Sequence, residues 1–112
     1  MKSPSSNLDR VRRLALSLPE TTEQPHFDYT SFRVRGKIFA TAPPGTQLLH
    51  VFLDEEQREL ALALHPTCVE KLLWGGKVVG LRVDLAKADG RVVDGLVRQA
   101  WSRKAPKKLV RS

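Results

Sequence analysis

Cysteine is nearly absent: Cys68 stands alone among 112 residues. A lone cysteine closes no internal disulfide, which excludes the disulfide-stapled secreted scaffolds. No apolar run approaches the ~18 residues of a membrane-spanning helix. Met1 to Asn7 is polar and lacks the apolar segment of a signal peptide. The expectation is a soluble cytoplasmic protein with no membrane partner, opening on a disordered leader over residues 1–7. Metal and cofactor patterns are missing too. His65 and Cys68 are two candidate ligands where a zinc site takes four, or three plus water. A Cys–His nucleophile pair would also need an activating environment. Cys68 therefore reads as a small buried hydrophobe. Gly75-Gly76-Lys77-Val78-Val79-Gly80 opens a strand, whereas a phosphate loop follows a strand and opens a helix. The acidic turn of Asp54, Glu55, Glu56 and Glu59 suits a helix dipole and makes no catalytic pair. The reading is a protein with no catalytic residues, no cofactor and no metal.

What the chain does have is positive charge, unevenly placed. The net charge is +7. Residues 1–13 hold Lys2, Arg10, Arg12 and Arg13 against Asp9. Residues 101–112 hold Arg103, Lys104, Lys107, Lys108 and Arg111 with no acid. The stretch between them has ten basic and eleven acidic side chains, a net charge of −1. The basic surplus lies at the two ends, and a basic balance favours polyanion partners through counterion release.

Along the chain, Leu8, Val11, Leu14, Ala15 and Leu18 form one helical stripe, with Asn7 as N-cap and Pro19 as stop. Glu20 to Tyr29 reads as a connector. Ser31–Val34 and Lys37–Ala42 alternate around Arg35-Gly36, and Gln47–Leu53 follows the turn Pro43-Pro44-Gly45-Thr46. In a two-residue hairpin Val34 faces Lys37 and Phe32 faces Phe39. Phe32, Val34, Phe39 and Thr41 then share one face, while Arg33, Ile38 and Ala40 share the other. Arg35 would need a positive φ in that turn, which leaves a longer loop open. In the third strand Leu49, Val51 and Leu53 point one way and Leu48, His50 and Phe52 the other. Asp54 and Gln57 suggest a capped helix with Leu60, Ala61 and Leu64 as its stripe. A short second helix is expected from His65-Pro66 to about Leu73. Val78–Leu85 is a strand, interrupted into two in one variant of the reading. Asp89 caps a last helix carrying Val92, Val93, Leu96, Val97, Ala100 and Trp101, and residues 107–112 are a basic tail. This order predicts one two-layer α+β domain over residues 8–106: an antiparallel sheet, a three-strand meander plus one or two later strands, packed by N-terminal, middle and C-terminal helices.

Several of these residues carry a resemblance. Pro25-His26-Phe27 with Ser31-Phe32-Arg33-Val34-x-Gly36-Lys37-Ile38-Phe39-Ala40 resembles the signature region of the MmcQ/YjbR family. The step Leu53-Asp54-Glu55-Glu56, Trp101 and the end Ala105-Pro106-Lys107-Lys108-Leu109 are similar too. The resemblance spans about Leu8 to Leu109. It implies a small single-domain bacterial protein with a secretion-chaperone-like α+β fold, likened to the double-wing DNA-binding domain of a phage transcription factor. The family brings no established catalytic residues, and its DNA-binding label rests on fold analogy. Phe52 departs from the polar outward residue expected there, making that sheet face more apolar.

Two function classes follow. The first is a non-enzymatic DNA-binding protein, electrostatic and weakly sequence-specific. Its phosphate contacts would come from a hairpin set, Arg33, Arg35 and Lys37 with Arg82, or from a terminal set of Arg10, Arg12, Arg13, Arg103, Lys104, Lys107, Lys108 and Arg111. The bland reading of these cations is a solvated surface and a protected sheet edge. The second class is a dimerising or protein-interaction module using the open sheet face around Ile38, His50 and Phe52. Trp101 reads as core rather than a stacking platform, and His26 as a tie for the connector rather than a catalytic base.

Overall fold

The computed structural model describes residues 5–110, with side chains from Asn7 onward. Helix α1 spans Ser5–Ser17. Four strands follow: β1 Thr21–His26, β2 Tyr29–Val34, β3 Lys37–Ala42 and β4 Leu48–Val51. Helix α2 is Glu55–Leu64. Strands β5 Val69–Trp74 and β6 Lys77–Asp84 form a hairpin. Helices α3 Gly90–Lys104 and α4 Lys107–Val110 close the described chain. The six strands form one antiparallel sheet in the order β1-β2-β3-β4-β6-β5. Helix α3 packs across β3 and its neighbours, α1 lies against α3 and β1, and α2 lies against β5.

The core sits between sheet and helices. Phe32, Phe39, Leu49, Val51, Leu53, Leu81 and Val83 are fully buried from the sheet side. Val11 and Ala15 of α1 meet them, with Val97, Ala100 and Trp101 of α3. The expected stripes of α1 and α3 are therefore the buried ones. Trp101 is core, and its indole Nε1–H donates to the carbonyl of Pro19 at 3.2 Å. Asp54 caps α2 by accepting from Gln57 N at 2.9 Å, and Asp89 caps α3 by accepting from Arg91 N at 2.8 Å. In α2 only Ala61 of the expected stripe is buried, while Leu60 and Leu64 are exposed.

Four expectations are corrected. The connector is strand β1, which has little apolar alternation because it is an edge strand with no buried side chain. It also contains Pro25, tolerated at a sheet edge where the missing N–H breaks no interior ladder. The second helix is strand β5. Val69, Leu72 and Leu73 have helical spacing, but Gly75 and Gly76 both take positive φ and turn the chain directly back into β6. A two-residue loop with positive φ at both positions favours a twisted hairpin, and that tertiary pairing overrides the local pattern. Third, the first hairpin is a two-residue turn, with Arg35 at φ 49° and Val34 opposite Lys37 as expected, but a bulge follows. Arg33 pairs with Ile38 while Phe32 pairs with Ala40, so Phe39 is the extra residue. Beyond it the alternation inverts: Ala40 and Ala42 turn to the core and Thr41 to the open face. Finally, residues 5–7 belong to α1 rather than to a leader, and Asn7 donates from Nδ2 to Gln47 Oε1 at 2.7 Å instead of capping. The basic tail is helical over α4, with Leu109 against the core. Residues 1–4 of the expected leader and Arg111 lie outside the described residues.

Candidate nucleic-acid interface

The sheet face away from the helices, rimmed by Arg58 of α2 and by Arg103 and Lys104 at the end of α3, forms a trough of about 970 Å³. The same sheet face carries a polar row that crosses all six strands, one residue each: Gln24, Ser31, Thr41, His50, Arg82 and Glu70, of which Thr41, His50 and Arg82 line the trough. The Phe39 bulge is what puts Thr41 in this row, opposite His50. Ser31 Oγ donates to Gln24 O at 2.8 Å and accepts from Arg33 Nε at 3.0 Å. Thr41 Oγ1 lies 3.5 Å from His50 Nδ1, and Arg82 Nη1 donates to Glu70 Oε1 at 2.9 Å. Ser31, Thr41 and His50 are the buried polar side chains of the described residues. Apolar side chains flank the row on the side toward the β5–β6 turn, Ile38 and Phe52 together with Leu72 and Val78. The open face expected around Ile38, His50 and Phe52 is thus the face that forms the trough.

His50 is held in its neutral form. Burial lowers its pKa, and the charge of Arg82 beside it lowers it further. The unfolded chain takes up this proton near the ordinary histidine value of 6.5, and the folded protein only at lower pH. Between those two values the unfolded state binds more protons, so stability falls as pH drops and levels off below the folded pKa. Thermal unfolding followed from about pH 7.5 to about pH 5 is expected to show this loss. A His50→Gln variant should show a flatter profile, and an unchanged one would remove His50 as its source.

Two hairpin tips border the trough. Phe27, in the β1–β2 loop, is 92% exposed, and Trp74, beside the β5–β6 turn, is 73% exposed. The tips belong to opposite edge strands and to opposite ends of the sheet, and both line the same trough. Sheet twist lifts such diagonal corners toward one side. Phe27 has φ 58°, a left-handed conformation that bulky residues rarely take. His26 supports it through an edge-on ring contact with centroids 4.9 Å apart. Neither aromatic is legible as a site residue in sequence, because each sits among turn signals.

The cations separate into two kinds. Arg10 pairs with Asp94 at 3.1 Å, and Arg12 with Asp9 and Glu23 at 2.9 and 2.7 Å. Arg35 holds both carboxylate oxygens of Glu20, at 2.8 and 3.1 Å. Arg33 and Arg82 bond within the sheet as described. Arg13 and Lys107 are exposed on the helices. A different situation holds where α3 ends near the β2–β3 turn. There the Lys104 ammonium is pushed below its ordinary pKa, first by burial and then by the charges of Arg103 and Lys37. Lys108 acts on the neighbouring Glu20, whose carboxyl is held low by Arg35 first and by Lys108 in lesser degree. Lys37 of the hairpin set and Arg103 and Lys104 of the C-terminal set, far apart in sequence, therefore form one basic corner. Arg103 and Lys104 also line the trough. The α1 cations lie apart from it, since Arg10 touches the start of α3. Among the described residues no His, Cys, Asp and Glu side chains group as metal ligands, and no helix is long and apolar enough to cross a membrane.

Comparison with known proteins agrees with this architecture. The crystal structure of the Deinococcus radiodurans protein DR2400, with domain DUF419, superposes with a TM-score of 0.74. The match covers 90% of this chain and 80% of that one at 20% identity, which is likeness of fold. No curated protein matches the chain. The YjbR family model matches residues 16–103, from the last turn of α1 to the end of α3. That match runs through every strand of the sheet, and the chain is a member of the YjbR family.

Proposed function

We propose that this YjbR domain is a non-enzymatic DNA-binding protein, electrostatic and weakly sequence-specific, whose anchor is the basic corner of Lys37, Arg103 and Lys104. The observation that supports this reading best is the crowding of like charge there. Lys104 is half-buried, and the charges acting on it are those of two further cations. Such an arrangement is relieved by an arriving anion, and phosphate contacts of this kind position a protein without reading sequence. The α1 arginines contribute less, because Arg10 and Arg12 are engaged by carboxylates. Anisotropy of a labelled DNA of arbitrary sequence, titrated over salt, tests the reading. Three to five phosphate contacts predict a log–log slope of about −3 to −4.5. Absence of binding above background at low salt would sink it.

A second reading, a dimerising or protein-interaction module, draws on the exposure of Phe27 and Trp74. Sedimentation velocity separates the two: a concentration-dependent dimer abolished by Trp74→Ala would favour the second.

A further inference from the structure

We infer that the trough is the seat of an unpaired DNA strand, so that the favoured ligand is single-stranded. The inference rests on the DNA-binding reading above and assigns a surface and a strand state to it. Three features of the trough converge on this ligand. Phe27 and Trp74 offer exposed ring faces at its two ends, and unpaired bases stack on aromatic side chains whatever their identity. Arg103 and Lys104 line it, with Arg82 in its ion pair to Glu70, and Asp28 is the one acid among the lining side chains, a balance that complements a phosphate backbone. Between these lie Thr41 and His50 of the polar row, which bring hydrogen-bonding atoms to the trough among its apolar side chains.

The shape selects against a duplex. A reader of the major groove must protrude into it as a helix or a two-stranded ribbon. Here the polar and aromatic groups line a concavity, and paired bases keep their faces stacked on each other. The apolar flanks of Ile38, Phe52 and Leu72 favour deoxyribose, since they give a ribose 2′-hydroxyl no partner, and they suit a thymine methyl. The backbone at Phe27 is a second, independent pointer. A phenylalanine with φ 58°, almost wholly exposed, occupies a position that glycine would fill without strain. A strained and solvent-facing aromatic, touching only the His26 ring among the aromatics, adds nothing to the core, and conformations of this kind persist at ligand clamps.

The experiment compares a labelled dT oligomer of about 12 nucleotides, the rU oligomer and a duplex of the same length, by anisotropy at fixed salt. The expected order is dT tightest. Phe27→Gly and Trp74→Ala should each lower dT affinity by about 5- to 150-fold, the worth of one stacked base, and leave duplex affinity nearly unchanged. Phe27→Gly removes the positive-φ strain, which offsets glycine's larger unfolded-state entropy, so its Tm should hold or rise, which separates lost contact from lost fold. Equal binding of dT and duplex, or retention of dT affinity in both variants, overturns the inference while the electrostatic reading stands. Tighter binding of rU than of dT overturns the choice of DNA. Failure of all three probes to bind removes the DNA-binding reading itself.

Discussion

Gly80→Ala is expected to be the most damaging small substitution in this chain. Gly80 lies in β6 opposite Leu72, at the place where the chain leaves β4. A methyl group built on Gly80 would run into the carbonyl oxygen of Val51. It would also sit 3.1 Å from that carbonyl carbon and 3.2 Å from Phe52 Cα. All three are backbone atoms, so no rotamer change makes room. Val51 is fully buried and its neighbour Phe52 donates its N–H to Phe39 O at 3.1 Å, so the β4 exit is tied on both sides. The two strands must separate locally, which loosens the β4–β6 ladder joining the meander to the second hairpin. Overpacking that displaces backbone reaches the upper end of its usual range, about 3 kcal/mol or more. For a domain of this size that lowers Tm by roughly 10 °C or more. Gly95→Ala is the matched control: it is also glycine to alanine, in helix α3, with open space around the new methyl. It should leave Tm level or raise it, because alanine favours helix by about 1 kcal/mol. Equal stability of Gly80→Ala and wild type would contradict the backbone crossing.

The second large effect concerns binding. Replacing Lys37, Arg103 and Lys104 together by glutamine should make the salt slope shallower by about 2.7 on duplex DNA, at 0.9 per phosphate contact, and by about 2 on a single strand, at 0.7. Affinity at low salt then falls by on the order of 10²–10³-fold. The fold should not suffer, since none of the three is in the buried core and removing crowded like charge relieves repulsion. The comparison variant is Arg10→Gln with Arg12→Gln. Both guanidiniums are in carboxylate pairs at the surface, and such pairs contribute little to stability. The slope should change by much less than in the triple variant. If the α1 pair carried the slope and the corner did not, the interface would belong at the other end of the helices.

How far the sequence alone could reach depends on the kind of information each element carries. The stretch from Phe32 to Leu53 alternates strongly and has glycine at its turns, so its strands were readable. The stripe Val93, Leu96, Val97, Ala100 and Trp101 likewise marks α3 and its buried face. Strand β1 escaped because Thr21–His26 buries little and carries Pro25. Strand β5 escaped because Val69, Leu72 and Leu73 satisfy a helical period equally well. The bulge at Phe39 has no local signature, and one extra residue was enough to exchange the faces of Ala40 and Thr41. The candidate site suffered most from this. Its polar row is a property of register across six strands, and its aromatic rims lie at loop tips, where periodicity says nothing. The basic corner was visible as two separate charge groups, and only the fold brings Lys37 beside Arg103 and Lys104.

Pro25 bears on how this protein behaves at high concentration. An open sheet has two outer rims, and an unprotected rim recruits extended segments from other molecules into fibrous aggregates. On β1 the ladder that a newcomer would extend is interrupted by an imide with no hydrogen to give. Growth of a stack through that rim is thereby discouraged, leaving β5 as the edge whose solubility is the more sensitive to mutation. Substituting Pro25 would restore an amide to an exposed strand and open the first rim as well.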